Sequence, residues 1–413
     1  MRVQPGSVLG SRTRAPALAL CLVMLLILPR VSSGQSSSKP PEANFGLLRD
    51  AAELIARGDL SRAETEIQFV LRQTPNSSRA LNLLGIVRAQ QHRNSEAEAL
   101  FKKALQIDPG FASACVDLGL LYAQSDRGDD AIAQFRQALK LDPQRHDAAN
   151  ALLGVYRTQA RAAVQAGNDE KALSLLIEAR KIAPQDPDTL FDFGMVALRM
   201  SLLQDAVQAL QQELTLRKDD APAIYALGRA EIGMSNFEDA RVQFQRYVQL
   251  RPQDASGHYA LGLTLASLQQ DPAARREFEE SVKLDPAQTE SYFRLGLLDL
   301  DQNELDRAAA RFHFVLQRNP RHAGALTGMG RVDLNLKQYQ AAANLLQQAA
   351  DIDPGLREAH YYLGLTYARL GRTKESEQEL QIATRINQEE VKKHQFGLRL
   401  MPPDAGSGNA GPP

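Results

Sequence analysis

The sequence predicts an all-α solenoid of tandem helical hairpins, and three recurrences along its 413 residues carry that prediction. Glycine returns at Gly85, Gly119, Gly154, Gly194, Gly228, Gly262, Gly296, Gly330 and Gly364, in steps of 34, 35 and 40 followed by five of 34. Alanine stands twelve residues after most of them, at Ala97, Ala131, Ala206, Ala240, Ala274, Ala308 and Ala342; a large apolar residue stands sixteen after, as at Phe101, Phe135, Phe244, Phe278, Phe312 and Leu346. Proline closes the period at Pro75, Pro109, Pro143, Pro252, Pro286, Pro320 and Pro354, whereas Lys218 and Gln388 break that series. Length alone, at about 150 residues per domain, suggests two or three domains. The period replaces them with one array over 44–390, in which an extra residue falls near His146 and six more near Arg161.

Residues 1–34 come first and have the form of a secretory signal peptide. Arg2, Arg12 and Arg14 precede an apolar run from Ala17 to Leu28, and Ser32 and Gly34 are spaced as a cleavage site. The run is shorter than the ~20 residues of a spanning helix. An uncleaved anchor is the alternative. Residues 35–43 form a flexible leader. Ten units follow, at 44–77, 78–111, 112–146, 147–186, 187–220, 221–254, 255–288, 289–322, 323–356 and 357–390.

Within one unit, His258 to Ala266 has helical apolar spacing. Gln269-Gln270-Asp271-Pro272 is turn-like, with Asp271 expected as N-cap and Pro272 as the first helical residue. Ala274 to Leu284 makes the second helix, stopped at Asp285-Pro286. A glycine inside a helix costs about 1 kcal/mol against alanine. Nine at one register point to close approach of the paired helices, with the recurring alanine expected as the facing residue. In the unit 147–186 the insertion between Gly154 and Ala172 favours helix, so about two extra turns are expected on the first helix. Val391–Leu400 should form a separate capping helix over the last hairpin, and 401–413, rich in Pro, Gly and Ser, a disordered tail.

A 34-residue unit with Leu-Gly in its first helix, Ala and Phe in its second and Asp-Pro between units resembles the tetratricopeptide repeat (TPR). The resemblance covers 44–390 and is carried best by Gln253–Asp285 and Glu358–Ala383. It implies a right-handed superhelix whose first helices line a peptide-binding groove. The chain departs from the pattern in lacking the usual Trp at the fourth position, where Leu81, Cys115, Leu190, His258, Tyr292 and His360 stand, and in its terminal units.

Composition narrows the function. Lys+Arg is 48 against Asp+Glu 49, a net charge of -1, so no basic field exists to hold nucleic acid. Removing 1–34 leaves one thiol, Cys115, so no intrachain disulfide can form; it is read as a small buried hydrophobe. Gly406 to Gly411 spells a glycine-rich phosphate motif, but no strand precedes it and no helix follows. His258 and His360 share a register three units apart, on the order of 30 Å, and cannot share a metal. No cofactor, no metal and no enzymatic activity are expected.

The resemblance leaves the groove. Its fifth position carries Phe191, Tyr225, Tyr259, Phe293 and Tyr361, and its ninth Arg229 and Arg331. Four rings in successive units would span about 30 Å, enough for some nine residues of extended peptide, and the two arginines could hold carboxylates. These seven residues are the candidate site, against the reading that the rings only pack between units. The expected function is an exported scaffold, periplasmic or extracellular, that binds protein segments and assembles envelope or export complexes. The alternative is a structural or oligomerising spacer that fills its own groove.

Overall fold

The computed structural model describes residues 42–399, with side chains over 44–389. The segment expected as a signal peptide, nearly all of the expected leader and the expected C-terminal tail lie outside the described residues. Among those described, every regular element is an α-helix. The chain divides into two compact units, residues 1–166 and 167–413, where the sequence reading has a single array.

The first unit carries α1 (Glu42–Ala56), α2 (Leu60–Gln73), α3 (Ser78–Gln90), α4 (Asn94–Ile107), α5 (Ala112–Gln124), α6 (Gly128–Leu141) and α7 (His146–Gln165). The second opens with α8 (Asp169–Ile182), α9 (Pro187–Arg199), α10 (Leu203–Leu216), α11 (Ala221–Gly233), α12 (Phe237–Leu250) and α13 (Ala255–Ser267). It continues with α14 (Asp271–Leu284), α15 (Thr289–Asp301), α16 (Leu305–Arg318), α17 (Ala323–Asn335), α18 (Tyr339–Ile352), α19 (Arg357–Arg369) and α20 (Thr373–Arg399). Within each unit, odd-numbered helices open hairpins and even-numbered ones close them, with α7 ending the first unit and α8 opening the second. Within unit 2, each second helix from α10 to α18 packs on its own first helix and on the first helix of the next hairpin.

Capping follows local sequence. Asp59, Ser77, Asn168, Asp186, Asp220 and Asp254 each accept a hydrogen bond from a backbone N–H in the first turn of the helix they precede. At α14 the helix starts one residue earlier than expected: Gln270 is the N-cap, and Asp271 the first helical residue, without a side-chain cap.

The recurring glycine has a steric cause, but its partner is the aromatic residue and not the alanine. A Cβ on Gly262 would lie 2.7 Å from Cδ1 and Cε1 of Phe278. Gly85 stands in the same relation to Phe101, Gly119 to Phe135, Gly228 to Phe244 and Gly296 to Phe312, all at 2.8 Å or less. Leu210, Leu346 and Leu380 fill the same place opposite Gly194, Gly330 and Gly364. The five phenylalanines are at most 1% exposed, so each ring lies where a side chain on the first helix would otherwise stand. The recurring alanines are 0% exposed and pack one turn away on the same face.

The lengthened unit breaks the register in an instructive way. α7 has 20 residues where α5 and α9 have 13, the two extra turns expected. The insertion lies N-terminal to the buried register position, however. Gly154 is exposed, and a Cβ added there would meet nothing within 4 Å, whereas Ala160, sixteen residues before Leu176, is 1% exposed. Seven residues after that register position every hairpin turns through a left-handed residue. Gly58, Gly167 and Gly371 do so freely; His92, Asp126, Ser201, Ser235, Gln269, Asn303 and Lys337 do so at φ of 57 to 63°. Gly167 lies seven residues after Ala160, the spacing that separates Gly194 from Ser201, so Ala160 takes the glycine's place in the sequence count. At the other end α20 runs unbroken to Arg399, so 391–399 prolong the last second helix and do not form a separate cap.

Candidate functional site

The first helices of unit 2 carry all seven residues singled out by the sequence. α9 meets α11, α15 meets α17, and α17 meets α19 along this face. The aromatic residues are placed by the same packing that seats the glycines. Position 5 lies nearly one turn before the glycine, so a ring there leans onto the aromatic residue of its own second helix.

Tyr225 is half-buried, edge-on to Phe244 at 5.4 Å between centroids and 5.0 Å from Tyr247. Tyr259 is half-buried too and lies tilted against Phe278 at 6.0 Å. Phe191 is half-buried against the cluster around Leu210. Phe293 is 7% exposed, held between Phe312 at 6.2 Å and His322 at 4.8 Å. Tyr361 is 42% exposed and meets Tyr362 edge-on. Arg229 is exposed and makes no ion pair or hydrogen bond among the described residues. Arg331 pairs with Asp301 at 3.1 Å, and its guanidinium sits 4.8 Å from the Tyr362 ring centroid.

The rings therefore do not form an evenly open row: Tyr225 and Tyr259 show one edge, and Phe293 is withdrawn. On α15 the neighbouring Arg294 stays half-buried at the surface. It stands 5.5 Å from the Phe293 ring centroid, and its Nε is buried without an acceptor. Sequence reasoning passed over Arg294 because it sits one position beyond the expected groove residues. Its charge, isolated among Leu and Phe neighbours, was the available signal.

Electrostatics follow the packing. Burial raises the Tyr225 hydroxyl above its ordinary range, opposed by the Arg229 charge. Burial likewise raises Tyr259, with Arg294 opposing. Glu290 is held below the usual carboxylate range by its hydrogen bond with His322. His322 Nδ1 accepts the Ala325 N–H as an N-cap, which leaves Nε2 to donate to Glu290 at 3.1 Å. Tyr247 is raised by burial and by its hydrogen bond to Asp254.

The other sequence candidates are structural. His258 bonds Glu277 at 2.8 Å and the Pro252 carbonyl at 3.1 Å; His360 repeats this with Glu379 at 2.7 Å and Pro354 at 3.1 Å. Each ties the inter-hairpin turn to a second helix. Cys115 is 1% exposed, and burial pushes its thiol up. Among the described residues no group of three His, Cys, Asp or Glu could hold a metal, and no helix is long and apolar enough to cross a membrane.

Tetratricopeptide-repeat family models match residues 49–110, 88–156, 225–289, 293–357 and 334–394. No curated protein matches. Among solved structures, the chain is similar to MamA from Desulfovibrio magneticus RS-1, at 25% identity over 40% of this chain and 94% of that one, with a TM-score of 0.39. It is similar to YrrB, described as a TPR protein with an unusual peptide-binding site, at 23% identity over 45% and 95%, with a TM-score of 0.38. Yeast Tom70 is similar at 13% identity over 87% and 98%, with a TM-score of 0.36.

Proposed function

The chain belongs to the tetratricopeptide-repeat family, and from that membership and the geometry of unit 2 we propose that it is an exported scaffold binding an extended peptide segment along its first helices. A protein-interaction scaffold is what the fold itself supports. Export rests on the form of residues 1–34, and a role in assembling envelope or export complexes rests on export.

The observation that carries the peptide reading is the combination of half-open Tyr225 and Tyr259, half-buried Leu263 and Leu297 one turn on, and unpaired Arg229 on a single face. Apolar surface with a few polar groups, at helical spacing, suits an extended chain that leaves alternate side chains on the protein. The packing of each ring on its own second helix equally supports the reading in which these side chains only pack, and a structural or oligomerising spacer whose groove is filled by its own chain or a copy of itself is the other alternative.

Retention of pooled random nonapeptides on the immobilised chain separates the peptide reading from both. Leu263→Glu and Leu297→Glu place charge on the face, whereas Val242→Glu places it on α12, where Val242 is 51% exposed. Retention lost in the first two and kept in the third supports the groove. Retention unchanged by all three removes it.

A further inference from the structure

Unit 2 carries two arginines without an ion-pair partner among the described residues at the centre of its first-helix face. Arg229 on α11 is exposed and has no carboxylate partner. Arg294 on α15 has no ion pair among the described residues; it lies within hydrogen-bonding reach of the Tyr259 hydroxyl, and its buried Nε lacks an acceptor. Of the nearby acids, Asp301 is ion-paired with Arg331 at 3.1 Å, whereas Glu290 and Asp254 accept hydrogen bonds from His322 at 3.1 Å and from Tyr247. Glu290 feels the Arg294 charge, but its hydrogen bond goes to His322. The pair differs from the one suggested by the ninth position, because Arg331 is spent on Asp301 and Tyr362.

Between the two cations stand Tyr259 and Leu263 of α13, both half-buried. A guanidinium at a partly desolvated apolar surface binds carboxylate through paired N–H donors, and one without a carboxylate keeps donors free for it. Resting on the groove reading, we propose that this face selects an extended peptide in which two acidic side chains flank an apolar one. Arg229 and Arg294 take the carboxylates, and Tyr259 with Leu263 takes the apolar residue. First helices about 10 Å apart put the two cations roughly 10–20 Å from each other, or about three to six residues of extended chain.

Two nonapeptide pools test this, both with leucine fixed at the fifth place and random residues elsewhere. One fixes glutamate at the third and seventh places, the other glutamine. The native chain should hold the glutamate pool about tenfold more tightly at low salt, with the preference shrinking as salt rises. Arg229→Gln and Arg294→Gln should each reduce it while leaving the glutamine pool unchanged, with folding followed by circular dichroism. Should Arg294→Gln unfold, the exposed Arg229→Gln still decides. Equal retention of both pools by the native chain overturns the inference and leaves the groove standing. A preference that survives both substitutions also overturns it. Retention of neither pool removes the groove reading itself.

Discussion

Two glycines of one sequence series should respond to alanine with opposite signs. At Gly262 the added methyl would stand 2.7 Å from two carbons of Phe278, whose ring is 1% exposed and has no room to withdraw. Overpacking of this kind costs about 1–3 kcal/mol. Replacing a helical glycine by alanine returns about 1 kcal/mol. The clash exceeds that gain, so Gly262→Ala should lose roughly 1 kcal/mol net. At Gly154 the same methyl meets nothing within 4 Å, so only the helix term remains and Gly154→Ala should gain about 0.5–1 kcal/mol. Urea unfolding followed by far-ultraviolet circular dichroism gives both signs from midpoint shifts at a common slope. Because a repeat array gains and loses stability locally, hydrogen exchange should place the Gly262→Ala loss in α13 and α14. Stabilisation by both substitutions would refute the ring-over-glycine account.

Other predictions follow from buried charge and turn geometry. Asp299 is 0% exposed and ion-paired at 2.6 Å with both Arg275 and Arg311, so Asp299→Asn should destabilise by about 3–5 kcal/mol in the same urea assay by leaving two guanidinium groups facing each other. Ser235 and Lys337 turn at φ of 63 and 62°, and either residue replaced by glycine should raise the melting temperature, whereas Lys337→Val should lower it. Asp117 accepts a hydrogen bond from Asn82 at 2.7 Å, yet burial pushes its carboxyl up to about 6 from 3.8. The folded chain therefore keeps this proton where the unfolded chain has lost it. Its contribution is full below about pH 4 and disappears as pH rises to about 6, a change of up to ~3 kcal/mol. Asp117→Asn should flatten the stability profile across that window relative to the native chain.

Periodicity made the hairpin legible because each unit must place small and large residues at one register. It did not reveal which residue faces the glycine. Positions twelve and sixteen residues on are one turn apart on the same side of the second helix, so Ala274 and Phe278 satisfy one spacing. The place of the insertion in α7 was hidden for a related reason. Seven added residues make nearly two whole turns and keep the helix in phase, so Gly154 continued the letter series after Ala160 had taken over its buried place. The turn at 269–272 was legible from its sequence, but its left-handed residue was not, because that residue is set by backbone closure and Gln269, like Ser235, carries no outward sign of it. On the candidate face, position numbers located Tyr225, Tyr259 and Arg229. Whether a ring stands open or withdrawn depends on neighbours outside its own helix, as His322 beside Phe293 shows.

Site-specific photocrosslinking tests the peptide face most directly. A benzophenone amino acid replacing Leu263 lies on the first helices of unit 2, and one replacing Val242 lies on a second helix. With the glutamate pool bound, label should pass to peptide from position 263 and not from position 242. Transfer from 242 with none from 263 would contradict the placement of the partner on this face.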